Sequence, residues 1–193
     1  MGACGIEKPM QEIGGKPVIM RVIEALLSSK MIDDILVSVS DNTLETERYL
    51  KVNGIRTIRT SGVDFVEDIH DAFRTMKGRF VLTCPSDLPL LSTEEVDRFI
   101  KAFDEETMES QIALVDHELL KPMGISPSYT VDRYGSKWVV SGITIMDRIK
   151  TLQGEYLCES FFETQCEGFA VNVNTQEELR QARKLVNLLN ERN

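Results

Sequence analysis

Only two histidines, His70 and His117, occur in the 193 residues, and they stand too far apart to suggest a zinc site or a catalytic triad. The four cysteines, Cys4, Cys84, Cys158 and Cys166, show no CxxC spacing, which excludes a zinc knuckle and a thioredoxin-type redox pair. The apolar settings of Cys84 and Cys158 read as reduced core thiols. No apolar run approaches the ~20 residues that cross a bilayer and no secretory signal is visible, so no membrane partner is expected and the cytoplasm is the expected location. Basic charge is also scarce. Twenty-two Lys and Arg face 31 Asp and Glu, a net charge of −9, which argues against broad nucleic-acid binding. That deficit does not oppose binding of one nucleotide, which needs only local donors. Internal repeats and low-complexity tracts are absent, and the length suits a single domain over 1–193 that buries its own core.

What the chain does have is an informative stretch from Phe80 to Ser92, FVLTCPSDLPLLS. An apolar, β-branched run stops at Pro85, a lone carboxylate follows at Asp87, and Ser92 opens a helix. This pattern delivers one acid to the C-terminal end of a strand, the edge where ligands bind in open α/β sheets. An acid placed there can hold magnesium, which takes one or two protein carboxylates beside water and substrate phosphates. A turn or helix-capping aspartate fits the same residues equally well.

On either side, strand and helix periods alternate. Pro17 opens a helix whose apolar face carries Val18, Ile19, Val22, Ile23, Leu26 and Leu27. Ile32 to Ser40 reads as a strand, Leu44 to Val52 as a helix closed by Asn53-Gly54, and Ile55 to Ile58 as a short strand. Asp64 and Glu67 form a capping pair for a helix with a Val66, Ile69, Phe73, Met76 stripe, ending at Gly78. Ser92-Thr93-Glu94-Glu95 caps the next helix, which carries Val96, Phe99, Ile100 and Phe103. The stretch 104–138 loosens: Ile112 to Val115 fits a strand, turns follow, and the whole reads as an excursion or flap off the main sheet, with a hairpin around Tyr129 to Trp138. A strand from Lys137 to Ile145 contains Gly142, which marks either a bulge or the close approach of a ligand. Phe169 to Val173 reads as the last strand, and Thr175 to Glu178 caps a final helix. The order specifies a three-layer α/β/α fold around a mostly parallel, Rossmann-like sheet.

Two further elements could carry chemistry. Pro9 blocks regular helix and exposes Lys8 on a loop. Asn172 and Asn174 alternate at the end of the last predicted strand, where an asparagine serves turn chemistry or supplies a neutral oxygen to a magnesium site. Asp87 and Asn174 both fall at predicted C-terminal strand edges and can meet across one crevice.

With Lys8-Pro9, Asp87-Leu88-Pro89-Leu90 and Asn174 in Asn-Val-Asn-Thr, the chain resembles the nucleotidyltransferases of the glycosyltransferase-A-like fold, the nucleotide-diphospho-sugar transferase type. The wording of EKPM, GGKPVI, DDILVSVSDNT, TSGVDFVEDI, PSDLPLL, VSGITI and VNVNTQEEL is most similar to the archaeal-type GTP:adenosylcobinamide-phosphate guanylyltransferases, with the molybdenum cofactor guanylyltransferases a close second. The resemblance implies a magnesium-dependent enzyme of cobamide assembly that moves GMP from GTP to a phosphorylated acceptor. It implies Lys8 and Asp87 as catalytic residues, Asp87 and Asn174 as magnesium ligands, and Lys8, Ser61, Gly62 and Asp87 at the nucleotide. A homodimer accords with it. The family's first central strand and glycine-rich phosphate loop have no counterpart in these residues. Either this start lies downstream of the true one, or the chain is a catalytically silent nucleotide-binding or scaffold relative, the reading from a different class.

Overall fold

The structure is a computed structural model, and it describes residues 6–124, 127 and 129–190. A 3-10 turn over Lys8–Met10 leads into a two-strand hairpin, β1 (Glu12–Ile13) and β2 (Lys16–Pro17). Then come α1 (Val18–Leu27), β3 (Val37–Val39), α2 (Leu44–Val52), β4 (Thr57–Arg59), α3 (Phe65–Thr75), β5 (Phe80–Thr83) and α4 (Thr93–Lys101). The second half supplies β6 (Ser110–Asp116), β7 (Thr130–Arg133), β8 (Ser136–Asp147), α5 (Arg148–Leu152), β9 (Glu159–Thr164) and α6 (Gln176–Asn190).

The large sheet runs in the order β5-β8-β6-β9, with β7 added on β8. The β8 strand pairs antiparallel with β5, β6 and β7, whereas β6 and β9 pair in parallel. All strands of this sheet except β8 thus share one direction. The α/β class stands: the strands of the large sheet run mostly one way, as expected, and the reversed β8 in its middle makes the sheet mixed. The parallel pair β3–β4 forms a separate sheet, and among the described residues no ladder joins it to the large one. Helix α1 bridges the two instead. Val18, Val22, Ala25 and Leu26 enter the main core, while Ile19 and Ile23 pack with Val39 and Leu50. This two-sided burial is what its run of apolar residues encodes.

The main core lies between the large sheet and helices α1, α4 and α6, centred on Phe99, which meets Phe162 and Phe169 edge to face at centroid distances of 5.4 and 5.9 Å. Helix starts follow their side-chain caps. Asp64 accepts from the N–H groups of Val66 and Glu67, and Ser92 accepts from Glu95.

Several expectations need correction. The strand at Ile112 to Val115 is present within β6 (Ser110–Asp116), but it is paired on both sides inside the large sheet, so the excursion off the sheet does not begin at 104. The polar Ser110 and Gln111 of β6 are themselves buried, with the Gln111 side chain donating to Phe99 O at 2.8 Å. The hairpin is present as β7–β8, and its Tyr134-Gly135 loop has positive φ at both residues, as a two-residue hairpin favours. Strand β9 fills the stretch before Cys166, where no strand was expected. The residues 169–173 form no ladder: a 3-10 turn at Glu167–Phe169 precedes an irregular segment in which Val171 and Val173 are buried. Tertiary packing, not strand pairing, produces that burial. Cys158 is exposed, since its N–H turns to Glu109 at the edge of β9. Helix α3 buries only Phe73 of its stripe fully and leaves Val66 exposed. Cys4 lies outside the described residues. No helix among the described residues is long and apolar enough to cross a membrane.

Candidate nucleotide-transfer site

Strand β5 ends at Thr83, and the chain turns through Pro85 to put Asp87 beyond the sheet edge. Leu88 and Leu91, at 1% and 7% exposure, anchor the loop in the core on the far side of the acid. Gly142 in β8 makes room for this loop. Its φ is +81°, the β6–β8 register shifts beside it, and a Cβ there would come 2.8 Å from Pro85 Cγ. The two readings of this glycine resolve into a bulge, and what approaches it is the protein's own acid-bearing loop.

The segment after the 3-10 turn at Glu167–Phe169 runs past the same loop, and Val173 N–H donates to Asp87 O at 3.0 Å. Asn174 then enters α6 through a reciprocal cap. Glu178 Oε2 accepts from the N–H groups of Asn174 and Thr175, both at 2.8 Å, while Glu178 N–H donates to Thr175 Oγ1. Across the crevice, Lys8 reaches in from its 3-10 turn and Nζ donates to Asn174 Oδ1 at 3.2 Å. Three segments remote in sequence therefore converge, carrying Lys8, Asp87 and Asn174.

Burial pushes the half-buried Asp87 carboxyl above its ordinary range, and the charge of Glu178 adds to that push; its own backbone N–H and Lys8 pull the other way. Burial and the Asp87 charge push the neighbouring Cys84 thiol up to about 12, so it stays a neutral thiol at physiological pH. The donors at this edge are a carboxylate and an amide oxygen, hard ligands of the kind magnesium takes, and a cationic group already lies against them. Among the described residues there is no cluster of three or more His, Cys, Asp or Glu fit to hold a metal by itself. An ion bound here would therefore depend on substrate oxygens for much of its coordination.

Ser61 and Gly62 lie elsewhere, at the end of β4. Asp68 of α3 takes both of their donors, Ser61 Oγ at 2.8 Å and Gly62 N–H at 2.9 Å, and Gly62, with φ +66°, packs its Cα against Ser40. No hydrogen bond among the described residues joins this turn to Lys8, Asp87 or Asn174. The turn is internally satisfied, and the structure does not bring it into the lysine–aspartate cluster. Glu178 escaped the sequence reading as a site neighbour because its capping role was the only local signal. Glu7 escaped it entirely, since its partners are in α2.

Comparison with known proteins accords with this geometry. The chain is 29% identical over 186 residues, 93% of its length and 92% of the relative's, to a probable molybdenum cofactor guanylyltransferase of Thermococcus gammatolerans. It is 30% identical over 104 residues, 51% of its length and 52% of the relative's, to an adenosylcobinamide-phosphate guanylyltransferase of Methanocaldococcus jannaschii. Among solved structures, CMP:2-keto-3-deoxy-manno-octonic acid synthetase complexed with CTP superposes with a TM-score of 0.76 at 15% identity, covering 98% of this chain and 95% of that one. A 4-diphosphocytidyl-2C-methyl-D-erythritol synthase of Anaerococcus prevotii follows at 0.69 and 12%, covering 96% and 92%. Both share the fold. Residues 1–134 match the MobA-like NTP transferase domain, and the chain belongs to that family of nucleotidyltransferases.

Proposed function

We propose that the protein transfers GMP from GTP to a phosphorylated small-molecule acceptor and releases pyrophosphate. The convergence of Lys8, Asp87 and Asn174 on one edge carries this reading. In the reaction an acceptor phosphate oxygen bonds to the α-phosphorus of GTP as the bond from that phosphorus to the bridging oxygen of pyrophosphate breaks. Negative charge accumulates on the transferring and leaving groups, and the Lys8 ammonium meets it. Asp87 and Asn174 would hold magnesium, which when bound supplies charge neutralisation on the phosphates. The acceptor phosphate is ionised at neutral pH, so the reaction needs no general base, and neither His70 nor His117 belongs to the cluster. Positioning and electrostatics supply the rate. Ser61 and Gly62 would flank the base only by releasing Asp68.

Two acceptors compete. The wording of the motifs supports adenosylcobinamide phosphate and a role in cobamide assembly, while the longer alignment, to the Thermococcus relative, supports the molybdenum cofactor. A homodimer in the cytoplasm completes the proposal. Calorimetry with magnesium and each nucleoside triphosphate, followed by pyrophosphate release with either acceptor, is the test. GTP is expected to bind, and Asp87→Ala to reduce turnover by about 100-fold or more. Binding without pyrophosphate release would favour the silent nucleotide-binding relative, and failure of every triphosphate to bind would overturn the guanylyltransferase reading.

A further inference from the structure

Glu7 immediately precedes Lys8 and spends its carboxylate on a distant helix. Its Oε1 accepts from Glu45 N–H at 2.8 Å, and its Oε2 accepts from Thr46 N–H at 2.8 Å and from the Thr46 hydroxyl at 2.6 Å. Helix α2 has no side-chain cap of its own. The Thr43 hydroxyl is engaged with the backbone of Ser40, so the orphan N–H groups of the first turn are met from outside by Glu7. Burial opposes the charge on Glu7, but the Thr46 hydroxyl and the two backbone donors, with Arg48 nearby, outweigh it and hold the carboxyl below its usual range.

On the other side of Lys8, the turn is closed by Met10 N–H to Glu7 O at 3.0 Å and Gln11 N–H to Lys8 O at 3.2 Å. Gln11 is in turn fixed by Val18 N–H at 2.9 Å. The backbone of Lys8 is therefore held from both directions while its side chain stays exposed. The acid next to the lysine does not neutralise it. Among the described residues Lys8 hydrogen-bonds Asn174 and no carboxylate, so its charge remains available to a phosphate.

We propose that Glu7 is a positioning residue of the transfer site, docking the lysine turn onto the N-terminus of α2 so that Lys8 faces Asp87 and Asn174. Its catalytic consequence rests on the guanylyltransferase reading; its geometric consequence does not. The test compares wild type with Glu7→Ala and Thr46→Val, using Ser92→Ala as an unrelated lost helix cap. Lysines are methylated with carbon-13, which keeps their charge, and the Lys8 signal is identified by its loss in Lys8→Arg. Glu7→Ala is expected to move the Lys8 signal into the envelope of free surface lysines. It is also expected to lower kcat with GTP by about 10- to 100-fold, since small displacements of a positioning group cost that much, with a smaller effect on KM. Thr46→Val, which removes one donor, should shift the signal the same way to a lesser extent, and it serves as the deciding variant if Glu7→Ala does not fold. An unmoved Lys8 signal, with a melting temperature lowered as in Ser92→Ala, would make Glu7 a helix cap and overturn the proposal. If wild type binds no GTP, the functional reading fails, and the Lys8 signal still decides the role of Glu7.

Discussion

Gly142 connects a backbone conformation to the placement of Asp87, the acid proposed to hold magnesium. At φ +81° an L side chain is strained, and here the added Cβ also strikes Pro85. Gly142→Ala should destabilise the fold by about 1–3 kcal/mol, read by urea unfolding. The same change should weaken magnesium-dependent GTP binding, because the displaced loop carries Asp87. Glu7 makes a separate prediction in pH. Its carboxyl titrates below the ordinary 4.5 when folded, so the folded protein releases this proton more readily than the unfolded chain. The stability it adds is complete above the unfolded value and disappears as the pH falls through the folded one. Unfolding curves of wild type and Glu7→Gln should therefore converge as the pH is lowered from 6 to about 3. A gap that stays constant across that range would show that the carboxylate does not prefer its charged form in the fold. At this scale the sequence was legible where a residue acts on near neighbours. Asp64, Ser92 and the Thr175–Glu178 pair cap the helices they announce. Glu7 was not legible, since its donors are 38 and 39 residues away.

Among the elements, the corner where β8 turns into α5 is held by one buried acid. Asp147, 4% exposed, accepts from the N–H groups of Ile149 and Lys150 at 3.0 and 3.1 Å, and its other oxygen accepts from Arg79 Nε at 3.3 Å. Removing it leaves these donors without their acceptor. Asp147→Ala is expected to cost about 1–3 kcal/mol in denaturant unfolding, and a loss below about 0.5 kcal/mol would show that water satisfies the corner instead. The helices α1 to α4 were readable because amphipathic periods, the Pro17 start of α1, the Asn53-Gly54 end of α2 and the caps of α3 and α4 are local. Strand β9 was not, because ESFFET carries no clear alternation and gains its identity by pairing with β6. The converse error occurred at 169–173, where Phe169, Ala170, Val171 and Val173 are buried on the core without any ladder. A short apolar run reports burial, and strand pairing is only one way to produce it.

At the scale of the whole molecule, the proposed GTP binding predicts a gain in stability. At a GTP concentration about 100-fold above its Kd with magnesium present, the folded state should gain about 2.7 kcal/mol, seen as a raised melting temperature that Asp87→Ala abolishes. A melting temperature indifferent to every triphosphate would count against a nucleotide site in this chain. The sequence by itself determined the α/β class, most helices, the caps of α3, α4 and α6, and the acid delivered past β5, because each follows from propensity or period. Tertiary structure alone decided that β8 runs against its neighbours, that α1 bridges two sheets, and that Lys8 meets Asn174 from 166 residues away. The physical reason is range. Backbone sterics and capping act within a few residues, whereas the meeting of remote side chains is fixed by how buried apolar faces pack, and many chains with the same local signals could pack otherwise.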